Sequence, residues 1–214
     1  MSQQAAAAFA TLALAVRGDH DRLLNAKSPD GDGRVSDLVT RMTATLGEHI
    51  NLRRSAFLSI EQGVAASYVH GATAPGLGRT GVLVALESTG AADRLGEVGR
   101  KIAMHVAASA PRWVSVEDVP AEVVAAKRSE LTEQALATGK PPQVIEKMID
   151  GRIRKFYDEA VLTRQAFVLN LEQTVDQALK EAEASIGAAM TIKTFVRFRT
   201  GEGVGRDPLA HTDS

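Results

Sequence analysis

The side chains of this sequence best suited to move protons or hold a metal near neutral pH are its five histidines, His20, His49, His70, His105 and His211. His20 and His211 lie in polar stretches, where a solvated ring is expected. His105 stands beside an apolar helical stripe and reads as a partly buried ring satisfied by a nearby hydrogen bond. His70 ends a strand-like run before Gly71, but no second histidine or carboxylate lies at metal-ligand spacing around it. The absence of cysteine removes disulfides, thiolate metal sites and a catalytic thiol; H-E-x-x-H and a Ser-centred elbow are missing too. Neither a metal site, nor a cofactor, nor covalent catalysis is expected.

Two glycine-bearing runs invite a ligand on first inspection. Pro29-Asp30-Gly31-Asp32-Gly33 resembles a calcium loop, yet Val35 and Arg41 stand where the turn glycine and the bidentate glutamate would be needed, so a solvated turn is expected. Gly76-Leu77-Gly78-Arg79-Thr80-Gly81 matches G-x-G-x-x-G, but a strand pattern follows, and no helix N-terminus is available to a pyrophosphate. The expectation is a mobile hairpin loop; an enzyme built on it would have to bind a dinucleotide or nucleoside phosphate directly. The hairpin carries the carboxylates of Glu122, Glu130, Glu133, Glu146, Asp150, Asp158 and Glu159, and several of them have Lys or Arg three or four positions away, the pattern of a solvated, ion-paired face.

The elements that would position these residues follow from periodicity. Phe9, Leu12 and Val16 share one face of a helix over 2–16 that stops before Gly18, and 18–33 is polar and turn-rich. Val35, Leu38, Val39, Met42 and Leu46 recur at helical spacing up to Gly47. Leu52, Ala56, Leu58 and Ile60 alternate with Arg53, Ser55 and Ser59, which predicts a strand over 50–60; strands over 66–70 and 80–88 would complete an antiparallel meander. A helix over 93–109 carries Leu95, Val98, Ile102 and Val106 on one face and ends at Pro111, before a short strand over 113–116. Residues 121–162 then form two helical arms joined at Gly139-Lys140-Pro141-Pro142, glycine ending one helix and proline opening the next. Each arm would be about 22 to 30 Å long, a projecting antiparallel hairpin. Phe167-Val168-Leu169 reads as an edge strand, Thr174 with Gln177 as a capping box, and Ile192, Thr194, Val196 and Phe198, alternating with Lys193, Arg197 and Arg199, as a last strand.

The fold class is therefore α+β: two subdomains with small antiparallel sheets packed against helices, plus an inserted helical hairpin. Residues 1–92 would hold two helices and a three-stranded antiparallel sheet, 93–203 the second subdomain with the hairpin at about 121–162, and 204–214 a flexible tail. Lys and Arg number 25 against 26 Asp and Glu, so charge gives no reason to expect nucleic acid or an anionic membrane as partner. No uninterrupted apolar run reaches the 18 or so residues of a membrane span. A protein-binding module with a projecting hairpin fits these residues better than an enzyme.

Several runs, in order, resemble translation elongation factor Ts: Leu46-Gly47-Glu48-His49-Ile50-Asn51-Leu52-Arg53-Arg54, Ser67-Tyr68-Val69-His70-Gly71, Gly81-Val82-Leu83-Val84, Ile102-Ala103-Met104-His105-Val106-Ala107-Ala108, Gly139-Lys140-Pro141, Glu146-Lys147-Met148-Ile149-Asp150-Gly151-Arg152, Lys155-Phe156-Tyr157, and Phe195-Val196-Arg197-Phe198 with Gly201-Glu202-Gly203. The resemblance implies a cytoplasmic guanine-nucleotide exchange factor that binds GDP-bound elongation factor Tu and disturbs its Mg²⁺ and phosphate site, without covalent chemistry. It assigns Leu46 and Gly47 to a helix-end contact with the nucleotide domain of that GTPase, His70 to the same interface, and Val168 and Leu169 to an apolar contact elsewhere on the partner. Residue by residue, other roles stay open: core for Leu46, a helix stop for Gly47, a strand end for His70, an ordinary strand for Val168 and Leu169.

Family members usually begin with a three-helix module and a Thr-Asp-Phe-Val segment that reaches the Mg²⁺ side of the nucleotide site. This sequence shows neither, and Gly205-Arg206-Asp207-Pro208 stands where a Phe-containing helix would follow. The expectation is a shortened exchange factor with weak activity; the alternative is a scaffold that keeps the fold without exchange.

Overall fold

The computed structural model describes residues 2–202; the expected flexible tail over 204–214, and His211 with it, lies outside them. In chain order the elements are α1 (Ser2–Ala15), α2 (His20–Asn25), α3 (Val35–Leu46), β1 (Gly63–His70), β2 (Thr80–Ser88), α4 (Ala92–Ser109), α5 (Ala121–Leu136), α6 (Pro142–Ala160), β3 (Ala166–Phe167), β4 (Asn170–Thr174), α7 (Val175–Ile186) and β5 (Met190–Arg199). Helices with small antiparallel sheets make this an α+β fold. The elements group into two compact units interleaved in sequence. Described residues up to 59, 69–81 and from 198 form the first, and 60–68 with 82–197 form the second.

In the first unit, α1 and α3 bury Phe9, Val35 and Met42, with Leu12, Leu38, Val39, Ile50 and Leu52 packed around them. The short helix α2 falls in a stretch whose polarity predicts a loop. It forms because the Asp19 carboxylate accepts the Arg22 N–H at 2.9 Å and because Leu23 is buried. The strand expected over 50–60 is absent: these residues are assigned no strand. Their alternation comes from Ile50 and Leu52 lying on the helices, while Thr43 Oγ1 accepts the Ile50 N–H at 3.2 Å and Ser55 Oγ donates to Gly18 O at 2.8 Å. Period-two burial reports a surface to lie on, and here that surface is helical rather than a neighbouring strand.

The second unit is built on a three-stranded sheet in the order β1-β2-β5, so its third strand comes from near the end of the chain rather than from 50–60. The other ends of the same strands, 69–70, 80–81 and 198–199, belong to the first unit. Val82, Val84 and Leu86 of β2 and Met190 and Ile192 of β5 share a core with Leu95, Ile102, Ala103 and Val106 of α4 and with Val175 and Leu179 of α7. Each Val, Leu, Ile or Met among them contributes about 1.5 to 3 kcal/mol when fully buried. Thr174 and Gln177 form the expected capping box: Thr174 Oγ1 accepts the Gln177 N–H at 3.2 Å and Gln177 Oε1 accepts the Thr174 N–H at 2.8 Å.

The helical hairpin is α5 and α6, closed on Leu131, Ala135, Ile145, Ile149 and Ile153. Its base is tied by Arg112 N–H to Ala160 O at 2.8 Å and Leu162 N–H to Trp113 O at 2.8 Å. Trp113 makes only a single parallel bridge to Val161 and a 3₁₀ turn follows at Val116–Asp118, so the strand expected over 113–116 does not form.

Two backbone features give opposite expectations for stability. A Cβ on Gly99 of α4 would stand 2.6 Å from the Ala66 Cβ of β1, so glycine sets how closely helix and strand approach. Gly99→Ala should destabilise the chain by about 1 to 2 kcal/mol, overpacking exceeding the gain in helix propensity. Exposed Ala110 caps α4 at φ 45, ψ 54, a left-handed conformation that costs an L-residue about 1 to 2 kcal/mol. Ala110→Gly should therefore gain up to about 1 kcal/mol. Urea midpoints of the two variants measure both signs, and a stable Gly99→Ala chain would show that α4 can lift from the sheet at no cost.

Candidate partner-binding surfaces

In the first unit, α3 presents its C-terminal end. Val35 and Met42 point into the core, whereas Leu46, one turn beyond Met42, is 42% exposed; it is not a core residue. The helix stops because Gly47 turns left-handed at φ 68, ψ 15 and its N–H caps Thr43 O at 3.1 Å. The pair is an exposed leucine on a rigid helix end followed by a residue for which glycine is the natural choice. His70 is exposed at the last position of β1, and its carbonyl accepts the Arg79 N–H at 2.9 Å, which fixes the backbone where β1 leaves the sheet.

In the second unit, Val168 and Leu169 are not a strand. β3 is only Ala166 and Phe167, and Val168 and Leu169 form the two-residue turn into β4, Phe167 pairing with Asn170. Val168 is 39% exposed, Leu169 47% and the next apolar residue along β4, Leu171, 74%. Leu171 continues the period-two spacing of Phe167 and Leu169, but spacing alone does not say which of these side chains a partner can reach.

Beneath that turn His105 is fully buried rather than partly so, on the inner face of α4. Its Nδ1 accepts the Val168 N–H at 3.1 Å and its Nε2 lies 2.8 Å from Gln165 Oε1. An accepting Nδ1 places the ring proton on Nε2, which then donates to the amide oxygen. Gln165 in turn donates through Nε2 to Glu159 O at 2.7 Å and more weakly to Ser109 O at 3.4 Å. The Phe167 ring lies 5.8 Å from the imidazole, centroid to centroid. This satisfied pair makes His105 structural rather than a metal ligand.

The two glycine-bearing runs are accounted for within the chain. Asp30 Oδ1 accepts from Ser28 Oγ at 2.6 Å and from the Asp32 N–H at 3.1 Å, and Oδ2 accepts from Arg41 Nη2 at 2.7 Å. These hydrogen bonds, Ser28 first and Arg41 next, hold the Asp30 carboxyl down at about 2, and the guanidinium takes the place that a cation would need. Gly76 to Gly81 close the connection between β1 and β2, with Leu77 N–H on Ala74 O at 3.0 Å, and Gly81 lies within a strand rather than opening a helix. Among the described residues no three histidine or carboxylate side chains group as a metal site, and no helix is long and apolar enough to cross a membrane.

Burial holds the His105 imidazole below the ordinary histidine range, against the opposing pull of the Gln165 hydrogen bond. The folded chain thus takes up this proton less readily than the unfolded one, so acid favours unfolding. The contribution is complete above about pH 6.5, where an unfolded histidine is neutral, and is lost as pH falls through the depressed folded value. The urea midpoint should fall between pH 7 and pH 5, and His105→Asn, which keeps an acceptor but does not titrate, should flatten that slope. Equal slopes in both chains would show that His105 binds its proton as readily in the folded chain as in the unfolded one.

Comparison with known proteins adds an independent line. The family model for Elongation factor TS matches residues 3–202. Elongation factor Ts of Caulobacter sp. (strain K31) is 54% identical over 183 residues, covering 86% of this chain and 58% of that protein. The Elongation factor Ts proteins of Rhodospirillum rubrum and Caulobacter vibrioides are each 50% identical, over 92% and 94% of this chain, and in both cases over 64% of their own length. The chain spans about three fifths of the length of these curated relatives. With a match that runs through every described element and identities near one half, the chain belongs to the elongation factor Ts family.

Proposed function

We propose that this chain is a guanine-nucleotide exchange factor core that binds elongation factor Tu in its GDP-bound form and promotes GDP release without covalent chemistry. The observation that carries this reading is the family match from residue 3 to residue 202 at identities near one half. Leu46, Gly47 and His70 of the first unit are the proposed contacts to the nucleotide domain of the GTPase. Val168 and Leu169 of the second unit are the proposed apolar contact elsewhere on it. The exposure of Leu46, His70, Val168 and Leu169 supports the reading, since side chains sunk in the core could not meet a partner.

The physics is linkage. A GTPase holds its nucleotide phosphates on backbone N–H groups at a helix N-terminus and fixes Mg²⁺ with few ligands, so a small displacement weakens nucleotide binding. If bound factor lowers GDP affinity by some ratio, bound GDP lowers factor affinity by the same ratio. The chain needs differential affinity for the empty and loaded states of its partner and no reactive group of its own.

Stopped-flow release of a fluorescent GDP analogue from elongation factor Tu of the same organism tests the proposal, with binding measured alongside. The 214-residue chain should bind and accelerate release above the spontaneous rate. Leu46→Glu and Leu169→Asp should each weaken binding by about tenfold or more, the effect of charging a desolvated apolar anchor. Binding without acceleration would refute exchange in favour of a scaffold, and no binding would refute the partner as well.

A further inference from the structure

The turn that presents Val168 and Leu169 is held by a support that the chain could not supply locally. β3 and β4 form a two-stranded sheet, β3 contributes two residues, and the register slips between Ala166 and Phe167. Such a hairpin is marginal in water unless something else fixes it. In a two-residue turn the first turn amide has no ladder partner, and here that amide, Val168 N–H, is taken by His105 Nδ1 from α4. The opposite ring nitrogen is fixed by Gln165 Oε1, and the Gln165 amide nitrogen donates to carbonyls at two helix ends, Glu159 O in the last turn of α6 and Ser109 O at the end of α4. Helix ends leave such carbonyls without intrahelical partners. One hydrogen-bonded chain therefore runs from the C-terminal ends of α4 and α6 through Gln165 and His105 to the amide of Val168.

Both side chains are buried, His105 at 0% and Gln165 at 5% exposure, in surroundings that apolar residues could fill. Satisfied buried polar networks add a unique geometry where apolar packing tolerates several. A leucine at position 105 would still fill the core but would leave the orientation of the turn to the weak β3–β4 pairing.

We propose that His105 and Gln165 are positioning residues that fix the backbone of the Val168–Leu169 turn for the partner, although neither reaches the surface. This rests on the reading that the turn contacts elongation factor Tu. His105→Leu removes the acceptor while retaining bulk; His105→Asn restores an acceptor near the position of Nδ1; Gln165→Leu removes the outer link.

The test is the affinity of each 214-residue variant for GDP-bound elongation factor Tu, with thermal melts and amide hydrogen exchange of the free chain. All three variants should melt cooperatively; His105→Leu, which leaves the Val168 amide without an acceptor, should bind about tenfold more weakly, while His105→Asn and Gln165→Leu, each of which loses the bond between positions 105 and 165 but keeps an acceptor for Val168, should bind about threefold more weakly. Protection of the Val168 amide should be lost in His105→Leu and kept in His105→Asn, a readout that general loosening of the core would not divide in this way. Should the leucine variants fail to fold, Val168 exchange in the parent and in His105→Asn decides: an unprotected amide in the parent overturns the inference. A Val168→Ser, Leu169→Ser chain separates the two readings. Unchanged binding there removes the turn from the interface and the inference with it. Weakened binding there, alongside parental binding by both leucine variants, overturns the positioning role alone.

Discussion

Burial of one face of α4 against the three-stranded sheet is the interaction on which the second unit depends. Leu95, Ile102, Ala103 and Val106 are nearly inaccessible and meet Val82, Val84 and Leu86 from β2 with Met190 and Ile192 from β5. Helix and sheet come close enough that Gly99 has no room for a side chain opposite Ala66. Hydrophobic burial is non-directional and would allow the helix to slide or rotate. The Gly99 contact and the His105 hydrogen bonds supply the direction, one by shape and the other by geometry.

What projects from this core is anchored at its base. The hairpin of α5 and α6 closes on its own strip of Leu131, Ala135, Ile145, Ile149 and Ile153, and its cross-arm ion pair, Arg128 with Asp150 at 2.7 Å, is half exposed. Such pairs add little to stability, so the aliphatic strip holds the arms together. At the base, the backbone pairing of Arg112 and Trp113 with Ala160 and Leu162 returns the chain to the core. Gln165 then reads the end of α6 through Glu159 O and passes that position to His105. The turn bearing Val168 and Leu169 is thereby set by the ends of two long helices rather than by its own short strands.

On the proposed function, this arrangement matters because linkage is limited by differential affinity. A factor that lowers nucleotide affinity must bind one state of its partner better than the other, and a loosely presented contact would lose much of that difference to ordering entropy. The first unit offers Leu46 on a capped helix end, where Gly47 fixes the exit of the chain. The second offers Val168 and Leu169 on a turn fixed from within. In both, an exposed apolar side chain stands on backbone that its own unit has already ordered.

Local chemistry written in the residues determined the long helices. Apolar spacing set α1, α3, α4 and the second arm of the hairpin, Gly139 with Pro141 and Pro142 set the reversal, and Thr174 with Gln177 set the start of α7, because helix bonds and caps are made within a few residues. Motif order likewise pointed to the family. The tertiary structure decided what needs a distant partner. The alternation over 50–60 looked like a strand, but its facing surface was helical, and β5 became the third strand instead. The spacing of Val35 and Arg41 already spoke against a cation at Asp30, but that the Arg41 guanidinium itself pairs with Asp30, eleven residues away, is set by the fold. His105 carried only the mark of a helix residue beside an apolar stripe; that its ring meets Gln165 and Val168, 60 and 63 residues away, is a fact of packing. Periodicity records which face is buried, and only the fold records what lies on the other side of it.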